Sequence, residues 1–454
     1  MRALALLPVA VGLVLGLATP AMGQGVLVQP GSASADHFRS AASCSCHDTL
    51  TEQWGQSMHV RALMDPAFQA KVTQAEQEAG PAVAAFCKRC HSPIGNMLRD
   101  PDGYANVTAA EGVTCMFCHQ AVADTGAHAN VSQLIVADLT RRAQLKNPDA
   151  PHPAAFSAYQ QTSEMCGGCH NVNLQANGLH LSTTYSEWAA SPYAKNGTTC
   201  QDCHMSGTPG VPGPTSGKAA PFGLPRRDIY GMTFIGANVG QGPAEASTVM
   251  LKSAAAIRIS APAIMLPGSV TSVTVTITNK GAGHDLPTGL TEERQMWLTV
   301  YAEDYRGTRT KLGERHFGTV FEGANGKYPA DVWDAVRVHS DDRIPARGQS
   351  ASAYSFTMPF GADQADVVAT LEYRSLSDEL AAKAQVNNPT TEMASASKAV
   401  YASEAARRAL EVPAATTPKS EPSYSRIWIP LLAALAFAGV VGVISFGIMM
   451  AQKR

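Results

Sequence analysis

Four times in this 454-residue chain, two cysteines three positions apart are followed at once by a histidine. The four are Cys87-Lys-Arg-Cys90-His91, Cys115-Met-Phe-Cys118-His119, Cys166-Gly-Gly-Cys169-His170 and Cys200-Gln-Asp-Cys203-His204. On a helical turn, residues three apart share a face. Each thiol pair can therefore form thioethers with the two vinyl groups on one porphyrin edge. The histidine that follows then reaches the iron as its proximal ligand, which is the attachment pattern of c-type haem. With ten Cys and thirteen His in the chain, composition alone predicts only about 0.006 such motifs. Zinc would not require a histidine directly after the second cysteine, and twelve ligands in four triplets group awkwardly for it. A disulfide framework gives the repeated histidine no role.

A fifth motif, Cys44-Ser-Cys46-His47, has one residue too few between its cysteines, with Ser43 where the first Cys would fall. A haem hung from Cys46, with or without Cys44, is the favoured reading; a free thiol pair and a strained local disulfide are the alternatives. The expected cofactor is thus haem c, four copies from the regular motifs and a fifth at His47. Each iron also has a sixth position. Filled, it makes the haem an electron carrier; open, it lets a small molecule bind. Candidate distal ligands outside the motifs are His37, His59, His128, His152, His180 and His284, with Met232 as a weaker one.

The elements that must position these residues divide the chain by composition. Residues 1–23 read as a signal peptide, with Arg2, an apolar run and small residues at Ala21 and Gly23. Residues 24–245 hold every cysteine and ten of the thirteen histidines, in what should be short helices with long connections around haem. Aromatic residues make up only 7%, so bound cofactor must supply interior that side chains do not. Residues 249–400 alternate with period two, as in Ser272–Thr278 and Met296–Tyr301, and read as a sandwich with a trailing helix. Residues 401–426 read as a linker, helical near Ser403 to Leu410 and rich in Pro, Ser and Thr from Glu411 to Ser425. Residues 427–451 carry no charge and are long enough to span a bilayer, with Lys453 and Arg454 on the cytoplasmic side. The expected fold is a mostly α and irregular multihaem domain, then an all-β, immunoglobulin-like sandwich, then one transmembrane helix.

This order of elements resembles the multihaem cytochromes of the cytochrome c-554 type, tetrahaem electron acceptors of hydroxylamine oxidoreductase, and their relatives. The matching residues are His37-Phe38, Trp54-x-x-Ser57-x-His59, Glu111-Gly-Val-Thr-Cys115, Ser163-Glu-Met-Cys166, Glu187-Trp188 and Cys200-Gln-Asp-Cys203-His204-Met205. The resemblance covers roughly residues 36 to 240 and implies mainly bis-histidine haems packed edge to edge. Residues 283–289 and 294–301 resemble a sandwich domain attached to such cytochromes. Where relatives are expected to carry His-x-Phe-x-Gly, this chain has Met232-Thr-Phe234-Ile-Gly236.

Function follows from crowding: haems attached within about 225 residues form a conductive chain. The expected role is electron transfer between a membrane redox complex and periplasmic partners, by a carrier rather than an enzyme. The cell membrane, single-pass, with both domains in the periplasm or outside the cell, is the expected location. A reductase or other oxidoreductase for a small nitrogen or sulfur compound is the alternative, with the irregular His47 site as its suspect. Haem propionates would add about two negative charges each to the formal net charge of -2, and no basic tract suggests nucleic acid. The sequence names neither the donor nor the acceptor.

Overall fold

The computed structural model describes residues 26–100, 106–146 and 148–411. The signal segment 1–23 and the apolar segment 427–451 lie outside the described residues, as does the linker beyond 411. Among the described residues no helix is long and apolar enough to cross a membrane.

The haem-bearing half is built from short helices. Those used below are α1 (Asp48–Gln56), α2 (Pro66–Ala79), α3 (Pro81–His91), α4 (Cys115–Gln120), α5 (Glu164–His170), α6 (Thr184–Ala190), α7 (Cys200–His204) and α8 (Ala244–Ala254). Local chemistry sets their ends. The Asp65 side chain accepts from the Phe68 amide at 2.9 Å and Pro66 opens α2. Gly80, at φ 90°, closes α2 where a side chain would be strained, and Pro81 starts α3. Thr199 and Asp202 form a capping box at the start of α7. His91, His170 and His204 are the last residues of their helices and His119 is the last but one, so each motif closes a helix.

The second half is strand-rich. A three-stranded sheet contains β1 (Ala255–Ser260), β2 (Val270–Asn279) and β5 (Gln349–Thr357), in the order β1-β2-β5. A four-stranded sheet contains β3 (Gln295–Asp304), β4 (Arg309–Phe317), β6 (Gln364–Arg374) and β7 (Thr391–Tyr401), in the order β4-β3-β6-β7. All of these pairings are antiparallel. The sheets enclose one core containing Val273, Val275, Leu298, Val300, Phe356, Val367 and Leu371, all fully buried. Burying each such side chain is worth about 1.5–3 kcal/mol.

One strand differs from the sequence expectation. β7 is rich in Ala and Ser and carries little hydrophobic signal; β6 selects it, turning Met393 and Val400 inward. The strand runs to Tyr401, and α10 (Glu404–Leu410) follows α9 (Asp378–Ala384) as the last helix. The helix expected near Ser403–Leu410 is therefore present, and only Tyr401, assigned to the linker, belongs instead to the strand. The Ser403 side chain caps α10 by accepting from the Ala406 amide.

The two halves pack directly. α2 lies against α9 through Ala67, Leu376, Leu380 and Ala381. Leu174 and Leu181 of the haem-bearing half share an apolar cluster with Phe321, Val332 and Ala335. Polar contacts reinforce this seam. Lys71 of α2 donates to Asp331 at 2.9 Å and lies 3.1 and 3.0 Å from Glu292 and Glu293. Glu187 of α6 accepts from the Asp285 amide at 3.1 Å and from the Thr288 hydroxyl at 2.6 Å, and pairs with Arg343.

Candidate functional site

The residues around His59 show how one site is made. Trp54 donates through Nε1 to the Val113 carbonyl at 2.9 Å, and the Ser57 hydroxyl donates to the Trp54 carbonyl at 2.7 Å. Ser57 also accepts from the His59 amide, and the Val113 amide donates to the His59 carbonyl at 2.9 Å. Gly112, at φ 73°, must be glycine, because a Cβ there would lie 2.5 Å from the His59 carbonyl. Glu111 ties this turn to the first motif by accepting from the Ala41 amide at 2.9 Å. The Trp-x-x-Ser-x-His and Glu-Gly-Val patterns are thus two halves of one clamp on a single imidazole.

The motif histidines share a further device. His47, His91, His119 and His204 each direct Nδ1 to a backbone carbonyl, of Ala219, Ala62, Arg142 and Ile235, at 2.6–2.8 Å. This fixes the tautomer and leaves Nε2 free as a ligand. Burial pushes His204 down to about 4 and His59 down to about 3, and it lowers His91, His119 and His170. These imidazoles are therefore neutral, the form that binds a metal.

Three histidine pairs stand out. Ring centres are 6.3 Å apart for His47 and His152, 6.3 Å for His59 and His170, and 6.2 Å for His204 and His284. Two imidazoles on opposite sides of one metal, each bonded at about 2 Å, place their ring centres roughly 6.2 Å apart. The spacing is that of bis-histidine ligation, and each pair joins one motif histidine to one outside the motifs. The pairing with His47 depends on a small parallel strand pair, Arg141–Ala143 with Ala154–Phe156. It places His152 beside the segment whose Arg142 carbonyl receives His119. His284 comes from the loop after β2, so the sandwich itself supplies one ring.

The other candidates are placed differently. His180 is exposed and bonds Asn173 at 2.6 Å. His128 lies 3.0 Å from the Asp124 carboxylate and 5.0 Å from the Tyr185 ring. His37 has a buried Nδ1 without a hydrogen-bond partner, and its carbonyl accepts from Gln120. Met232 does not line the central cavity, whereas Phe234 does and approaches His59 to 4.3 Å between ring centres. No described imidazole faces His91 or His119 at the paired spacing. Over His91 lies the Phe68 ring, parallel and 3.6 Å away. Phe68 carried no sequence signal, because it is an ordinary apolar residue of α2.

Cys46 is exposed and the other nine cysteines are half-buried, with no disulfide among them. Their sulfurs meet across motifs: Cys44 beside Cys115, Cys90 beside Cys169, and Cys166 beside Cys200. Cys90, Cys118 and Cys169 also pack on one apolar cluster with Met97, Phe117 and Ile135. Between these elements the protein atoms leave a cavity of about 720 Å³, bordered by His59, His91, His170, His204 and His284. Native interiors hold few voids larger than a water molecule, so an apolar-lined space of this size is shaped for a bound group. The donor set, the ring spacing and the cavity all fit haem.

Residues 43–120 match the family model described as cytochrome c554 and c-prime. Among solved structures, a penta-heme cytochrome c552 from Thermochromatium tepidum is similar at 20% identity. The match covers 82% of this chain and 100% of that one, with a TM-score of 0.59, which establishes likeness of fold. A CARDB domain from Pyrococcus furiosus matches 32% of this chain and 90% of its own at 12% identity. Its TM-score of 0.19 is too low to carry an argument. No curated protein sequence matches the chain.

Proposed function

Taking the chain as a multihaem c-type cytochrome of the cytochrome c-554 type, we propose that it carries electrons through closely packed haems c between a membrane redox complex and periplasmic partners. The five motif histidines serve as proximal ligands, with His152, His59 and His284 opposite His47, His170 and His204. In this reading the segment 427–451 anchors the protein in the cell membrane with both domains outside. Bound haem supplies the redox chemistry. The chain's own residues hold His59, His91, His119, His170 and His204 neutral by burial, and backbone carbonyls aim the Nε2 atoms of His47, His91, His119 and His204. The observation that carries the proposal is the set of three histidine pairs at 6.2–6.3 Å, a spacing that leaves those irons no open position.

Haem count by intact mass, with a low-temperature EPR spectrum of the oxidised protein, tests it. Five haems, with the three paired sites low-spin, is the expected result. In His284→Ala one low-spin haem should become high-spin while the others keep their signals. A haem count of four, or an unchanged spectrum in that variant, would overturn the assignment concerned.

A second reading has one observation in its favour. An oxidoreductase acting on a small nitrogen or sulfur compound needs one open position, and among the described residues no imidazole stands opposite His91 or His119 at the 6.2–6.3 Å spacing of the paired sites. His47, the suspect from sequence, has His152 opposite. Carbon monoxide binding to one haem of the reduced protein, lost in His91→Ala or His119→Ala, would bring this reading forward; no binding would retire it.

A further inference from the structure

The sandwich has two unlike ends. One carries the loop after β2, the ends of β3 and β6 at Gln295 and Arg374, and the start of β7, and it packs on the haem-bearing half. The other gathers the turns 261–269, 305–308 and 358–363 with the end of β7. Backbone bonds hold these turns together: Met265 to Tyr401 at 2.8 Å, Gly268 to Met358 at 2.7 Å and Ala402 to Asp363 at 2.8 Å. In register, Asp304 faces Ala365 and Gln364 faces Tyr401.

This far end is tipped with apolar side chains. Phe360 is 85% exposed, Leu266 73%, Val270 64% and Tyr305 66%. The Phe360 ring lies over Gly268, against the position a Cβ would take. Charged groups around the tips are mostly matched. Arg309 pairs with Glu303 at 2.6 Å, Arg407 and Arg408 with Glu404, and the Asp304 carboxylate accepts from the amides of its own turn. Arg306 reaches back over the Tyr305 ring; Asp363 is the further acid of the group. Little net charge remains to attract an ionic partner, while the apolar tips stay uncovered. Apolar residues beside Tyr and Arg are what the headgroup boundary of a bilayer accommodates.

The course of the chain names the occupant. It leaves the sandwich from this end through α10, and only fifteen residues, 412–426, separate it from the uncharged run 427–451. Fully extended, they reach at most about 50 Å. We propose that the tips Leu266, Val270, Tyr305 and Phe360 rest in the outer face of the bilayer, which stands the protein upright on its sandwich. This rests on the anchor reading given above. The haem-bearing half is then held off the membrane by about 35 Å, the length of β6. Electrons would pass to or from the membrane through a partner protein that spans that gap. Because apolar insertion dominates, contact should persist at high salt and on uncharged lipid.

The test uses the full haem-loaded chain reconstituted in vesicles of uncharged phospholipid containing a photoactivatable phospholipid, with adducts mapped by mass spectrometry. The expected result is adducts in 264–270, 305 and 358–361 as well as in 427–451, with none on the equally exposed Phe222 and Leu224 of the haem-bearing half. Leu266→Glu with Phe360→Glu should abolish the sandwich adducts and leave those in 427–451. Adducts in 427–451 alone would overturn the docking and keep the anchor. Their absence there, with protein in the supernatant, would overturn the anchor reading itself. Protein–protein crosslinks joining two copies at 358–361, without lipid adducts, would assign this face to a second copy and overturn the proposal.

Discussion

Along β6, Ala365, Val367, Ala369, Leu371 and Tyr373 all turn into the core while the residues between them face outward. In the haem-bearing half, α3, α5 and α7 turn histidines and cysteines inward, and the largest apolar cluster there has nine buried members against twenty-four in the sandwich. One half makes its interior from its own side chains. The other makes a lined space and the means to fix something in it. The first is specified by a period of two and the second by a spacing of three, so they should respond differently to the same insult.

The largest expected effect comes from withholding haem. Chain made without haem attachment, or with all ten cysteines replaced by alanine, should lose the fold of residues 26–245 and keep that of 255–401. Hydrogen exchange would show fast exchange in the first and protection in the second. Equal protection in both would end the contrast.

A smaller effect is expected at the seam. Glu187 and Arg343 are nearly buried, with side chains 5% and 11% exposed, and removing one partner of such a pair costs about 3–5 kcal/mol. Arg343→Met should lower unfolding stability by that amount. It should also broaden the signal of the haem whose ligand is His284, because Glu187 holds the 285–288 loop. A variant that lost stability without any spectral change would separate the seam from the site.

Next comes pH. Burial, with Glu293 alongside and Lys71 opposing, pushes Glu292 up to about 7 from its ordinary 4.5. A group raised in the folded state stabilises fully below its unfolded value and loses that contribution as pH rises through about 7. The loss here is on the order of 3 kcal/mol. Urea midpoints should therefore fall between pH 5 and pH 8 in the wild type, and Glu292→Gln should flatten that part of the slope. An unchanged slope would place the titration elsewhere. The smallest effect belongs to Met232→Leu, which should leave the absorption spectrum of the oxidised protein as it is, since the three paired sites draw their second ring from His152, His59 and His284; loss of a charge-transfer band would make Met232 a ligand.

The sequence made the chemistry legible and left much of the assembly hidden. The cysteines and motif histidines were readable because covalent attachment demands fixed spacing within one turn. The sandwich strands showed because alternation is local, although β7, made of Ala and Ser, did not. The pairing of His152 with His47 could not be read, because it depends on a strand pair between Arg141–Ala143 and Ala154–Phe156 that only the folded chain forms. Glu187-Trp188 was visible as a pattern, yet its meaning lay 98 residues away at Asp285. Phe68 over His91 had no signal, since any apolar helix offers such a residue.

The crossed placement of the motif cysteines carries a consequence for neighbourhood. Cys44 lies beside Cys115, Cys90 beside Cys169 and Cys166 beside Cys200, and Cys90, Cys118 and Cys169 pack on one apolar cluster. The motif ending in His170 thus adjoins more of the other motifs than any of them does. Haems hung as proposed above would branch there rather than follow a single file, and His170 would be the ligand whose loss interrupts the most neighbours.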